Sequence, residues 1–281
     1  MVDLGVPVQE DRRGTVPAWS LRRVAALVRR YTYLLLSSWP RLAELAYWPT
    51  VQMVMWGFMT VFLEQNSSYI SQAFGVLISG VLLWDILFRG QIGLAISFME
   101  EMWSRNLGHL FVSPLRPLEL VAALTTMSLI RTLIGILPAA GLAIAFFGFS
   151  IFDLGLSLVA FFFSLLIFAW AIGLAVSGLV LLWGQGAESL AWAAIFGILP
   201  VSAVYYPVSA LPDWISWLAW TMPAAYSFEG MRSILQDGIV RPDLMATGFA
   251  LNLVYLALGA AAFLWCFRIA RRDGLLLQQG E

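Results

Sequence analysis

The sequence contains no lysine: all 16 basic residues are arginine. A phosphate-gripping loop of the form G-x-x-x-x-G-K-[ST] cannot be written without lysine, so any ATP this protein depends on is expected on another chain. Cysteine is nearly absent as well. Cys266 stands alone in an apolar run, which excludes a disulfide framework and a thiolate metal cluster. His109 is the only histidine, which removes bis-histidine haem ligation within one chain and metal sites built from several imidazoles. With no second imidazole and no H-E-x-x-H motif, neither serine nor zinc proteolysis inside a membrane is expected. The expectation is a non-catalytic chain that binds no metal and no cofactor of its own.

Charge is scarce too. Only 12% of the 281 residues are charged while 60% are apolar, with 13 Trp and 19 Phe, a profile of a polytopic membrane protein rather than a soluble domain. The first twenty residues, MVDLGVPVQEDRRGTVPAWS, lack the short apolar core of a cleavable signal, so a cytoplasmic N-terminus is expected.

A helix needs about 20 apolar residues to cross a hydrocarbon core of about 30 Å. Six runs of that kind are expected as transmembrane helices, over residues 45–63, 72–99, 118–148, 154–183, 190–211 and 245–267. Barrel-type alternation is missing, which leaves an all-α integral membrane fold. The organisation is one membrane domain over 39–272, preceded by a tail over 1–17 and a helix over 18–38, and followed by a tail over 273–281. Arginine placement sets the orientation. Twelve Arg (12, 13, 22, 23, 29, 30, 41, 105, 116, 268, 271, 272) flank one side of the spans and two (232, 241) the other. Both termini and the loop near Arg105 are therefore expected in the cytoplasm.

Ahead of the first run lies WSLRRVAALVRRYTYLLLSS. At 100° per residue Arg22, Arg23, Arg29 and Arg30 share one arc, with Leu21, Val24, Val28, Tyr31 and Leu35 opposite. This reads as an amphipathic interfacial helix, its arginines directed at anionic lipid or a cytosolic partner, or acting only as an anchor. Between the last two runs, Pro207, Pro212 and Pro223 break the chain, and Trp214, Trp217 and Trp220 recur every three residues. Short re-entrant helices with interfacial indoles are expected there, a surface hairpin being the alternative.

Three charges fall deep within the apolar runs. Asp85 and Arg89 stand at i and i+4 in the second, and Arg131 lies in the third. Counted back from the hairpin at about 1.5 Å per residue, Asp85 and Arg131 reach similar depth, so the three are expected to cluster. The cluster either meets an anionic cargo group or locks two helices together.

The stretch MEEMWSRNLGHLFVSPLRPLEL and the stretch YYPVSALPDWISWLAWTMPAAYSFEGMRSIL, in a chain with an amphipathic helix and six spans, resemble the ATP-binding-cassette type 2 permeases. In the first, Glu101, Leu107, Leu110, Val112, Ser113 and Pro114 match by position, while Arg105 and Gly108 replace the common Gly and Glu. In the second, Pro207, Leu211, Pro212, Trp214, Pro223, Tyr226, Glu229 and Arg232 carry the likeness. The resemblance implies a permease subunit of a bacterial inner-membrane exporter, paired with a second permease copy as a homodimer. Two separate nucleotide-binding subunits would hold ATP and Mg. It implies a coupling element formed by Glu100, Glu101, Trp103, Arg105, Leu107, Leu110 and Phe111, with Leu107, Leu110 and Phe111 as its apolar contact and Pro114 as its end. It implies an outer segment marked by Pro212, Trp214, Trp217, Trp220, Pro223, Tyr226, Glu229 and Arg232. Membrane lipid is an expected partner and nucleic acid is not. The apolar spans and outer tryptophans point to an amphipathic cargo such as a drug, a lipid or a lipid-linked glycan. A secondary transporter or pore, and a non-transporting membrane scaffold, are the rival readings.

Overall fold

The computed structural model describes residues 19–66 and 74–275. The expected tail over 1–17 with Arg12 and Arg13, the start of the 72–99 run, and residues 276–281 lie outside them. Among the described residues every regular element is helical: α1 (Leu21–Leu36), α2 (Trp39–Asn66), α3 (Phe74–Trp103), α4 (Leu107–Val112), α5 (Pro117–Phe147), α6 (Leu156–Trp183), α7 (Ser189–Ile198), α8 (Asp213–Thr221), α9 (Pro223–Asp237) and α10 (Pro242–Arg272).

Local chemistry sets the ends of these helices. Pro117 opens α5, where its missing N–H has no helical partner to lose. Gly148 closes α5 with φ 62° and Gly238 closes α9 with φ 68°, the left-handed geometry that glycine adopts without a Cβ clash. Ser113, extended with ψ 161°, ends α4 just before Pro114, as the residue ahead of a proline is disposed to do.

Four helices, α3, α5, α6 and α10, are long and apolar enough to cross a membrane. α2 has the length, at 28 residues, but begins at Trp39 and includes Arg41 and Glu44. The expected span over 190–211 is corrected. α7 ends at Ile198, a 3-10 turn runs Leu199–Val201, and a second such turn runs Val208–Ala210. Pro200 cannot donate to the helix ladder, and Ala203 takes φ 56°, so the helix cannot continue through them. The 10 residues of α7 cover about 15 Å, half of a hydrocarbon core.

α3 and α6 form the centre of the bundle, with α5 and α2 packed on one flank and α10 and α9 on the other. α3 is the most enclosed of the long helices, followed by α6. The α6–α10 crossing is close: a Cβ on Gly259 would overlap the carbonyl oxygen of Ala171. Small residues of this kind let two apolar helices approach where hydrophobic burial alone gives no preference for helix over lipid. One core cluster at the α4 end joins Leu27 and Tyr31 of α1 to Phe98, Leu107, Leu124 and Phe267. A larger cluster fills the middle and the opposite end.

Candidate functional site

α4 is a single short helix between the end of α3 and the start of α5, and charge pairs fix both attachments. Glu119, in the first turn of α5, is fully buried. Its carboxylate accepts from Arg23 Nε at 2.8 Å and Nη2 at 2.6 Å, from the Ser20 backbone N–H at 2.8 Å and from the Arg116 N–H at 3.0 Å. The hydrogen bond from Arg23 to Glu119 raises the guanidinium pKa above its ordinary value. On the α3 side, Glu101 is buried, lies 2.9 Å from Arg30 and accepts a 2.5 Å hydrogen bond from Asn106 Nδ2 at the start of α4. Its neighbour Glu100 lies 3.1 Å from Arg131 and 3.8 Å from Arg41. α1, α2, α3 and α5 are thus joined by ion pairs around the base of α4.

This arrangement corrects two sequence expectations. Of the four α1 arginines, Arg22 and Arg29 are exposed, but Arg23 and Arg30 turn inward to Glu119 and Glu101. The apolar face of α1 also meets protein rather than headgroups, burying Val24, Leu27, Tyr31 and Leu35, while Leu21 is left 72% exposed. Burial also pushes the Tyr31 hydroxyl pKa upward, aided by Glu101. The reason is the ridge of Leu120, Ala123, Leu124 and Met127 on α5, which offers α1 an apolar seat.

The outward apolar contact expected from α4 is also corrected in part. Leu107 is only 6% exposed and packs into the core of the α4 end, and Leu110 packs against the same cluster. With only 6 residues, α4 turns too few positions to show Leu107 and Leu110 outward while its core side stays filled. Trp103, Ser104, Arg105 and His109 are among the exposed residues of this region instead. The side chain of Phe111 lies outside the described residues. Arg105 holds φ 57°, unusual for a non-glycine residue, at the sharp turn from α3 into α4.

The expected cluster of Asp85, Arg89 and Arg131 does not form. Asp85 and Arg89 pair within α3 at 2.6 Å and are both buried. Arg131 reaches Glu100. Two physical facts separate them: the length of the arginine side chain, which extends along its helix toward the α4 end, and the helix register. Gly135, not Arg131, lies against Arg89, and a Cβ on Gly135 would crowd the Arg89 guanidinium and the Leu45 carbonyl.

At the opposite end the broken segment is held by its own charges. Arg232 Nη2 donates to the carbonyls of Ala203 and Val204, and Glu229 Oε1 accepts the Val208 N–H at 2.6 Å and lies 3.2 Å from Arg232. Non-helical backbone, which has lost its helical partners, is thereby satisfied from within the chain. Pro212 precedes α8 and Pro223 opens α9. Trp214, Trp217 and Trp220 are exposed, and Trp220 meets Tyr226 edge to face at 5.1 Å.

Sequence reasoning missed Glu119, although an acid two residues after Pro117 and three after Arg116 carries the signal of a helix start. It also missed a buried polar knot. Asn252 on α10 donates to the Ser164 carbonyl at 3.0 Å and hydroxyl at 2.9 Å, and Ser227 on α9 donates to the same hydroxyl at 3.0 Å. Single polar residues in apolar runs give no one-dimensional pattern, so only the fold shows that they meet.

The family model for the ABC-2 type transporter matches residues 25–235, from α1 through α9. The chain belongs to the ABC-2 type transporter family, whose members are membrane components of ABC transporters that typically work with an ABC ATPase subunit. No curated protein matches the chain.

Proposed function

We propose that this chain is the permease subunit of an ABC exporter and that α4 is its coupling helix, docked on a separate nucleotide-binding subunit that holds ATP and Mg. The observation that carries this reading is the way α4 is mounted. Ion pairs from Arg23 and Arg30 grip the two helices that bear it, while Trp103, Arg105 and His109 remain exposed. A short helix fixed to α3 and α5 transmits a push from a partner to both at once, which a loosely tethered loop cannot do.

On this reading the α4 end and both termini are cytoplasmic, and the six passages are α2, α3, α5, α6, α7 with its broken continuation, and α10. α1 lies along the inner surface of a bacterial cytoplasmic membrane, with Arg22 and Arg29 free to meet anionic headgroups. α8 and α9 form the outer re-entrant segment, and the exposed indoles of Trp214 and Trp217 suit a membrane interface. The complex contains two permease copies and two ATPase copies. An apolar groove of about 350 Å³ opens between α3, α5 and α6, lined by residues such as Ile86, Leu137 and Phe163. It favours a cargo with a hydrocarbon part. The Asp85–Arg89 pair is closed on itself, which favours holding the fold together over serving as an ion path.

The test is co-purification of the native complex, followed by an ATPase assay in the presence of permease carrying His109→Glu. Retained complex with lost cargo-stimulated hydrolysis, or loss of the ATPase subunit from the complex, supports the coupling role. A native complex with no ATPase subunit contradicts it.

A further inference from the structure

A second cavity, of about 400 Å³, lies far from α4 between the Val208–Ala210 turn, α9 and the start of α10. Its volume falls within the roughly 300–1,000 Å³ of small-molecule sites. Unlike the groove between α3, α5 and α6, it is lined by charged and polar groups, among them Glu229, Arg232, Asp237 and Arg241. What such a cavity recognises depends on which of these groups are already committed.

Both guanidinium groups are paired with a carboxylate, although Nη1 of Arg232 donates no hydrogen bond. Arg232 is turned to the carbonyls of Ala203 and Val204 and to Glu229. Arg241 is held by Asp243 through Nε at 2.9 Å and Nη2 at 2.6 Å, and this hydrogen bonding raises its pKa. The carboxylate of Asp237, by contrast, is exposed at the last residue of α9. Glu229 is paired with Arg232, and Arg241 is paired with Asp243 outside the lining, so among the described residues Asp237 is the lining carboxylate with no cationic partner. The C-terminal end of a helix adds a partial negative charge at the same place. Trp220 supplies an aromatic wall, and Leu244 and Val208 supply apolar surface.

We infer that this cavity is a binding site for an organic ammonium cation, held by Asp237 and the α9 C-terminus beside the indole of Trp220, with its apolar part along Leu244 and Val208. An aromatic face beside a carboxylate suits an ammonium group and repels an anion. The assignment of the site to the outer side of the membrane rests on the orientation proposed above. The binding chemistry does not, and it is measured on the permease without any ATPase.

The experiment is equilibrium binding of labelled decyltrimethylammonium to the full-length permease in nanodiscs of zwitterionic lipid, with protein-free discs as the blank and decylsulfonate as the oppositely charged probe. Saturable binding of the cation alone is expected. Asp237→Asn should weaken it about tenfold, Trp220→Leu should weaken it similarly, and Asp237→Glu should restore it. Asp237 is exposed, so these variants are expected to keep the wild-type thermal transition. Saturable binding of decylsulfonate at the same site, or cation binding indifferent to Asp237→Asn, would overturn the inference. Either result leaves the coupling role of α4 standing, because co-purification tests that separately.

Discussion

Arg23 and Glu119, 96 positions apart in the chain, form a two-bond ion pair in which the carboxylate is fully buried and the guanidinium retains 25% side-chain exposure. The pair ties the first turns of α1 to the first turn of α5. Because Glu119 also receives two backbone N–H groups, from Ser20 and Arg116, it is an anchor that an arginine cannot replace.

A charge exchange at this pair is therefore predicted to fail. Arg23→Ala lowers the melting temperature, since a buried carboxylate loses its charged partner. The double variant Arg23→Glu with Glu119→Arg lowers it further, because Arg at 119 cannot accept from Ser20 and Arg116. Thermal unfolding in detergent or nanodiscs checks this; recovery to wild-type stability in the double variant would mean that the backbone hydrogen bonds do not matter.

The buried pair inside α3 makes a second prediction. Asp85→Asn leaves Arg89 enclosed without a counter-charge and should cost about 3–5 kcal/mol, whereas Asp85→Leu combined with Arg89→Met should be near neutral. Arg131→Gln should cost less, because Glu100 keeps Arg41 nearby and is 28% exposed. Chemical denaturation of the three variants, alongside transport, separates structure from cargo contact. A stable double variant that no longer transports would instead place the pair in the cargo path.

Arg232 supports the third. Arg232→Met removes the donor to the Ala203 and Val204 carbonyls, leaving those acceptors without their side-chain donor and Glu229 without its charged partner at a cost of about 3–5 kcal/mol. Limited proteolysis of the variant should cut within 202–208 before it cuts elsewhere. Unchanged protection there would show that the turn is held by other contacts.

The legibility of these features in the sequence follows physical lines. α3, α5, α6 and α10 were readable because each apolar run exceeds the bilayer length, and glycines at 148, 155 and 184 mark their limits. The stretch 190–211 misled for the same reason: it is apolar throughout, and hydropathy does not register that Pro200 and Ala203 stop the helix. α2 begins earlier than its apolar run because Arg41 and Glu44 are tolerated in a helix whose first turns lie at the charged end of the bundle. The broken pattern of Pro207, Pro212 and Pro223 did announce the short helices before α10. Partners were harder. Equal counting from the hairpin sets Arg131 beside Asp85, but a long side chain carries its charge along the helix, and Glu100 captures it. Likewise the α1 period located an apolar stripe, and only the fold shows that α5 covers it and that Arg23 and Arg30 face acids rather than lipid.

The coupling role assigned to α4 is tested most directly by photocrosslinking from single positions. A photoreactive residue replaces His109 on α4 or Trp214 on α8, both exposed, in cells expressing the whole complex. A crosslink to the ATPase subunit is expected from position 109 and none from position 214. A crosslink from 214, or its absence from 109 in an assembled, active complex, would contradict the coupling role.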